Sequence, residues 1–106
     1  MTEYWVSHKR KDNENTRIEQ VKAMIKKPEN GLNPPTIYSR IQMVNSIEDT
    51  ENENRWITCK FNRKDGNKTY WDSGEEIHVY RTDTNAFIRT DRNKTEEDNL
   101  GDLPDF

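Results

Sequence analysis

The sequence predicts an α+β domain: a small, mainly antiparallel β-sheet with one α-helix against one face, in the order ββαβββ, followed by an extended C-terminal tail. Three observations carry that expectation. Tyr4–Lys11, Arg55–Asn62 and Glu76–Thr82 alternate apolar or aromatic with polar residues in period two, as half-buried strands do. A stretch opening at Ser39 places Ile41, Val44 and Ile47 on a helical stripe, with Met43 beside them. The 106 residues are 29% hydrophobic and 35% charged, which leans toward disorder, but three Trp, four Tyr and three Phe supply a thin core and leave material for an interface.

Taken in order, Tyr4–Lys11 is the first strand, with Trp5 and Lys9 expected on the same side. Asp12–Thr16 (DNENT) is turn chemistry, short polar side chains that bond the local backbone. Arg17–Lys26 carries Val21, Ala23 and Ile25 in period two and reads as the second arm of a hairpin. Ile18, Val21 and Ile25 also suit a helix, so both periods stay open there. Three prolines and a glycine make Lys27–Pro35 a loop. Ser39 is the expected N-cap of a helix ending near Glu48–Asp49, and Thr50–Asn54 is a polar linker.

In Arg55–Asn62, Ile57, Cys59 and Phe61 face one way and Trp56, Thr58 and Lys60 the other. Asp65-Gly66 is a hairpin-type turn signal, with Tyr70-Trp71 beyond it. Glu76–Thr82 and Ala86–Thr90 flank the tight turn Asp83-Thr84-Asn85 and should pair as a hairpin. The last stretch breaks into a polar run and ends on Leu100, Leu103, Pro104 and Phe106. Large apolar residues gain by docking, so this tail is expected to lie as a strap across the body of the domain or a neighbouring subunit.

Length gives a single domain, residues 1–106. A net charge of -3 offers no basic surface for long nucleic acid, although local basic clusters are possible. The lone cysteine, Cys59, excludes an internal disulfide and a cysteine zinc cage. No apolar run suits a signal peptide or a membrane span, so the expectation is a cytosolic protein that engages no membrane.

Few residues invite chemistry. His8 and His78 stand far apart with no His or Cys at ligand spacing, so no metal is expected. Cys59 sits between Ile57 and Phe61 as a small buried hydrophobe would. The serines lack an elbow-type glycine context and the carboxylates lie in solvated runs. No glycine-rich phosphate loop is present, and no cofactor is expected. What remains is cations interleaved with aromatics and small polar groups: Trp5, Ser7 and Lys9 on the first strand, Tyr38 and Arg40 at the helix start, and Arg89, Thr90, Arg92, Asn93 and Lys94 at the end of the last strand. Arg grips phosphate bidentately and planar bases stack on Trp or Tyr, so the combination points to an anionic, planar ligand. Taken singly, each of these residues is as well explained as a packing or solvated side chain.

Tyr4-Trp5-Val6-Ser7, Tyr38-Ser39-Arg40, and Ile88-Arg89-Thr90-Asp91 with Asn93, Thr95, Asp98-Asn99-Leu100-Gly101 and Leu103-Pro104-Asp105-Phe106 resemble a small bacterial and phage family known as a domain of unknown function. Its C-terminal pattern is the specific part. The chain also resembles phage anti-CBASS sponges, small oligomers that bind immune second messengers. That resemblance implies a phage immune-evasion protein in the host bacterial cytosol. It would be a homo-oligomer, as a tetramer, holding a cyclic oligonucleotide such as a cyclic dinucleotide at subunit interfaces without cleaving it. The alternative is a protein–protein interaction module that docks through its sheet edge and apolar C-terminal tail.

Overall fold

The computed structural model describes residues 1–14, 16–29, 31–91 and 94–106. It is an α+β fold with a mainly antiparallel sheet and one helix, as the sequence predicts. In chain order the elements are β1 (Glu3–Lys11), β2 (Ile18–Ile25), β3 (Thr36–Ser39), α1 (Arg40–Glu48), β4 (Arg55–Asp65), β5 (Lys68–Glu76), β6 (His78–Arg81) and β7 (Ala86–Arg89). The main sheet runs β3-β2-β1-β4-β5, and β6-β7 form a separate hairpin. Of the pairings between these strands, β1–β4 is parallel and the others are antiparallel.

β1 and β2 form the expected hairpin, which settles Arg17–Lys26 as a strand. Asp12 ties its turn, accepting from the backbone N–H of Thr16 at 3.0 Å and of Arg17 at 3.4 Å. Ser39 caps α1: its Oγ accepts from the Gln42 N–H at 3.1 Å, while the Gln42 side chain accepts from the Ser39 N–H at 2.8 Å.

The order ββαβββ gains two strands. Pro34-Pro35 hold the chain extended, and the β-branched and aromatic run after them continues as β3 along β2. Arg63–Ser73, which carried only a turn signal, contributes the end of β4 and most of β5. The turn itself is where the sequence puts it: Gly66 has φ 63, the positive value required at the first central position of a two-residue type II′ loop.

An irregularity in register overturns one expectation about faces. Ser7 and His8 together oppose Lys22, a bulge that carries Lys9 to the side of Val6 and leaves Trp5 on the other. Trp5 and Lys9 therefore point to opposite faces. On α1 Met43 and Val44 are buried and Ile47 packs against the core, as expected of the stripe, whereas Ile41 is 71% exposed.

The core gathers Val6, Val21, Met43, Trp56, Ile77 and Ile88 between the main sheet, α1 and the β6-β7 hairpin. Tyr4 stacks on Trp56 with ring centroids 4.0 Å apart, and Tyr38 meets both edge-on at 5.6 and 5.3 Å. The apolar tail belongs to this core. Leu100 and Leu103 are buried in it, so the strap lies across the chain's own body.

Candidate ligand-binding cleft

β1 pairs with β4 only from Glu3 to Val6. Beyond that point the tail takes the vacated edge of β1: Lys9 donates its N–H to Pro104 O at 2.9 Å and accepts from the Phe106 N–H at 3.0 Å. The Lys9 amine also holds Leu103 O and pairs with Asp105. β4 meanwhile bends away with β5 as a two-stranded ribbon. The fork between tail and ribbon is a cleft of about 740 Å³, within the range of small-molecule sites.

Three features shape it. On the ribbon side Phe61 and Trp71 are direct cross-strand partners, edge to face with centroids 5.8 Å apart, and Phe61 is 53% exposed. Where β5 passes Thr58 the backbones crowd together: a Cβ on Gly74 would fall 2.4 Å from Thr58 Oγ1 and 3.0 Å from Thr58 O. Glu75 donates its N–H to that hydroxyl at 3.0 Å. The inner wall is Ser7 and His8 of the β1 bulge, with Leu100 and Leu103 of the tail alongside.

The cleft lining is more apolar than polar, and it is not basic. Lys60 stands against the carboxylates of Asp72, Glu75 and Asp102. Burial, reinforced by the charge of Lys22, holds the His8 imidazole below its ordinary value, so it is neutral at pH 7. Burial pushes the Cys59 thiol up to about 12, which leaves no thiolate for nucleophilic attack. His8 Nδ1 lies 2.8 Å from Ser7 Oγ, but that hydroxyl donates to Lys22 O at 3.3 Å and is 2% exposed. The pair locks the bulge, and among the described residues no carboxylate bonds to the imidazole to orient it as a catalytic dyad needs. Among the described residues no three His, Cys, Asp or Glu side chains gather as metal ligands would.

A family model described as Protein of unknown function (DUF3892) matches residues 5–104. The chain belongs to that family. The matched span includes the residues that line the cleft. No curated protein and no solved structure matches the chain. Among the described residues no helix is long and apolar enough to cross a membrane.

Of the residues singled out from sequence, the DUF3892 fold brings Ser7 and Thr90 to the cleft. Trp5 does not line the cleft, and its indole N–H donates to Glu3 at 3.0 Å. Lys9 holds the tail, and Tyr38 packs against Tyr4 and Trp56. Burial pushes the Tyr38 phenol above its ordinary value, and Tyr4 adds to this.

The two arginines are engaged internally. Arg40 forks onto Asp98, with Nη2 at 2.7 Å from Oδ1 and Nη1 on Oδ2, and also donates to Ile18 O at 2.8 Å and Ala86 O at 2.5 Å. Arg89 is buried, forks onto Asp91 at 2.8 and 3.1 Å, and donates to Glu97 O at 2.5 Å. Lys94 is exposed, while Arg92 and Asn93 lie outside the described residues.

Phe61, Trp71, Lys60 and Gly74 escaped the sequence reading. A signal for the aromatic pair was present, since Phe61 and Trp71 flank the Asp65-Gly66 turn at nearly equal distance. Pairing them requires the extra residue that the bulge between Phe61 and Arg63 inserts, which no residue type announces.

Proposed function

We propose that this DUF3892 chain is a non-catalytic binding protein that sequesters a cyclic oligonucleotide in the forked cleft. The observation that carries the reading is the half-exposed Phe61–Trp71 pair on the wall of a cleft large enough for a nucleotide. A flat base stacks on such a platform whatever its identity. The carboxylates of Asp72 and Glu75 and the hydroxyls of Ser73 and Thr90 suit the exocyclic amines and sugar hydroxyls of a nucleoside. Its phosphates face the open side, toward Lys64, which the bulge after Phe61 sets on the same face of the ribbon as Phe61 and Trp71. Arg40 and Arg89 then serve as positioning residues, since each already holds a carboxylate.

A cyclic dinucleotide of the kind used in CBASS defence is the specific form of this proposal, with the chain acting as a phage immune-evasion sponge in the bacterial cytosol. Closure of the open side by a second copy, in a homo-oligomer such as a tetramer, supplies the desolvation that tight sequestration needs. The inert thiol of Cys59 and the self-satisfied Ser7–His8 pair support binding without cleavage.

The test is titration with cyclic di- and trinucleotides, followed through Trp71 fluorescence and thermal stability, with recovery of the ligand after denaturation. A saturable quench that Trp71→Ala removes, with intact ligand released, supports the proposal. Lack of response to every cyclic nucleotide, or cleaved product, overturns it.

One observation favours a second reading, a protein-interaction module. β5 is an edge strand of the main sheet, nine residues long and mostly exposed, so it offers an edge on which a partner can add a strand. The apolar tail supports that reading less, because Leu100 and Leu103 lie in the chain's own core. A proline at Ser73 that abolishes capture of a defined host protein, while nucleotide binding is absent, would select this reading.

A further inference from the structure

The start of α1, the entry to β2 and the β6–β7 turn enclose a second hollow of about 380 Å³, which shares no lining residue with the cleft. Arg17, Arg40 and Arg81 line it, with Asn45 and Thr84 adding uncharged polar groups, and no carboxylate is among its described lining residues. Two of the three guanidiniums are neutralised from outside the hollow. Arg40 holds Asp98, and Arg81 holds Glu48 through bonds of 2.8 and 2.6 Å.

Arg17 differs from both. Among the described residues it forms no ion pair, and its Nη2 reaches Ala86 O only at 3.4 Å. Its Nε is buried and has no hydrogen-bond partner among them. The guanidinium carbon lies 5.6 Å from the Phe87 ring centroid, and Arg17 lines the hollow. A buried charged donor without an acceptor is rare in a folded protein, because its lost hydration goes uncompensated. The acceptor this arrangement lacks is an anion. Arg's planar fork matches the oxygens of phosphate, and the hollow has room for more than a bare oxyanion.

We propose that this hollow is an anion site that takes a phosphate group, with Arg17 as its principal ligand and Asn45 and Thr84 as polar partners. Free phosphate and a phosphomonoester share that chemistry, and the test separates them. Binding of inorganic phosphate and of ribose 5-phosphate is measured by calorimetry and thermal shift, at ionic strength held constant with sodium chloride. The wild-type chain should show a saturable response to at least one of them. Arg17→Met, which keeps the apolar stem over Phe87 and removes the donors, should weaken it by about tenfold or more, the worth of one charge-assisted hydrogen bond. Tighter binding of the ester identifies a phosphorylated small molecule, and equal binding identifies free phosphate.

No saturable response in the wild type, or undiminished binding by Arg17→Met, overturns the proposal. Should Arg17→Met not fold, the Arg17 Nε–H resonance of the wild type decides. It must shift as phosphate is added, and a resonance that stays in place refutes the site.

Discussion

Replacing Asp98 with alanine is the perturbation from which the fold should suffer most. The Asp98 side chain is 1% exposed and accepts from four directions: both terminal nitrogens of Arg40, the Ile18 N–H at 2.8 Å and the Ile88 N–H at 3.0 Å. One carboxylate thus ties the tail to β2, to β7 and to the start of α1. Truncating it strands a partly buried guanidinium, at a cost of about 3–5 kcal/mol for a broken buried pair. It also orphans two backbone donors, each worth about 1–3 kcal/mol when left unsatisfied. These terms overlap, because relaxation and entering water serve all three groups, so the expected loss is about 4 kcal/mol. Against a total stability of roughly 5–15 kcal/mol, that loss brings the chain near the edge of folding.

Urea unfolding followed by tryptophan fluorescence measures it, since Trp56 is buried in the same core. The midpoint should fall while the slope with denaturant stays constant. A second variant separates a four-way junction from a simple ion pair. Removing Arg40 as well, in Arg40→Met/Asp98→Ala, often restores stability when two charges merely neutralise each other. Here it should not, because the Ile18 and Ile88 N–H groups remain without acceptors and the carbonyls of Ile18 and Ala86 lose their donor. A loss below about 1 kcal/mol for Asp98→Ala, the size of an ordinary surface ion pair, would refute the reasoning, and so would full rescue by the double variant.

Gly74→Ala must push β5 off Thr58, so it should cost about 1–3 kcal/mol by overpacking and alter ligand affinity in the cleft; an unchanged urea midpoint would contradict this. Phe61→Ala, at a half-exposed position, should leave stability within about 1 kcal/mol of wild type while weakening any stacked ligand by titration. The folded chain holds His8 below its ordinary 6.5, so the unfolded chain binds the proton more readily. The stability this contributes is intact above pH 6.5 and is lost as pH falls below it through the folded value, a slope that His8→Gln should remove from the stability–pH curve. Glu48, lowered chiefly by its hydrogen bond from Arg81, loses its contribution only at more acid pH, as it protonates. With its pKa pushed up to about 12, Cys59 should resist a disulfide thiol reagent at pH 8 in the folded chain and react at once in urea; rapid native labelling would contradict its burial.

What was legible in the sequence divides along a physical line. Local rules sufficed where one residue decides its own neighbourhood. Ser39 capped the helix through Gln42, Gly66 made the hairpin turn, and Leu100 and Leu103 docked because exposed they would forfeit burial. The rules failed where a bulge decides, because inserting one residue into a ladder exchanges its faces and no residue type marks the place. The bulge at Ser7 separated Trp5 from Lys9, and the one after Phe61 set it opposite Trp71. The arginines failed for another reason. A cation near a strand end reads as a ligand contact until its partner is known, and the partner of Arg40 lies 58 positions away in the tail. Asp98 in turn looked like one carboxylate of a solvated run, Glu96–Asp98, when it is the most enclosed charge of those runs. The same logic makes Arg17 informative. In a chain where buried cations find carboxylates across such distances, one whose Nε is left without an acceptor among the described residues marks the place where a partner from outside is to be sought.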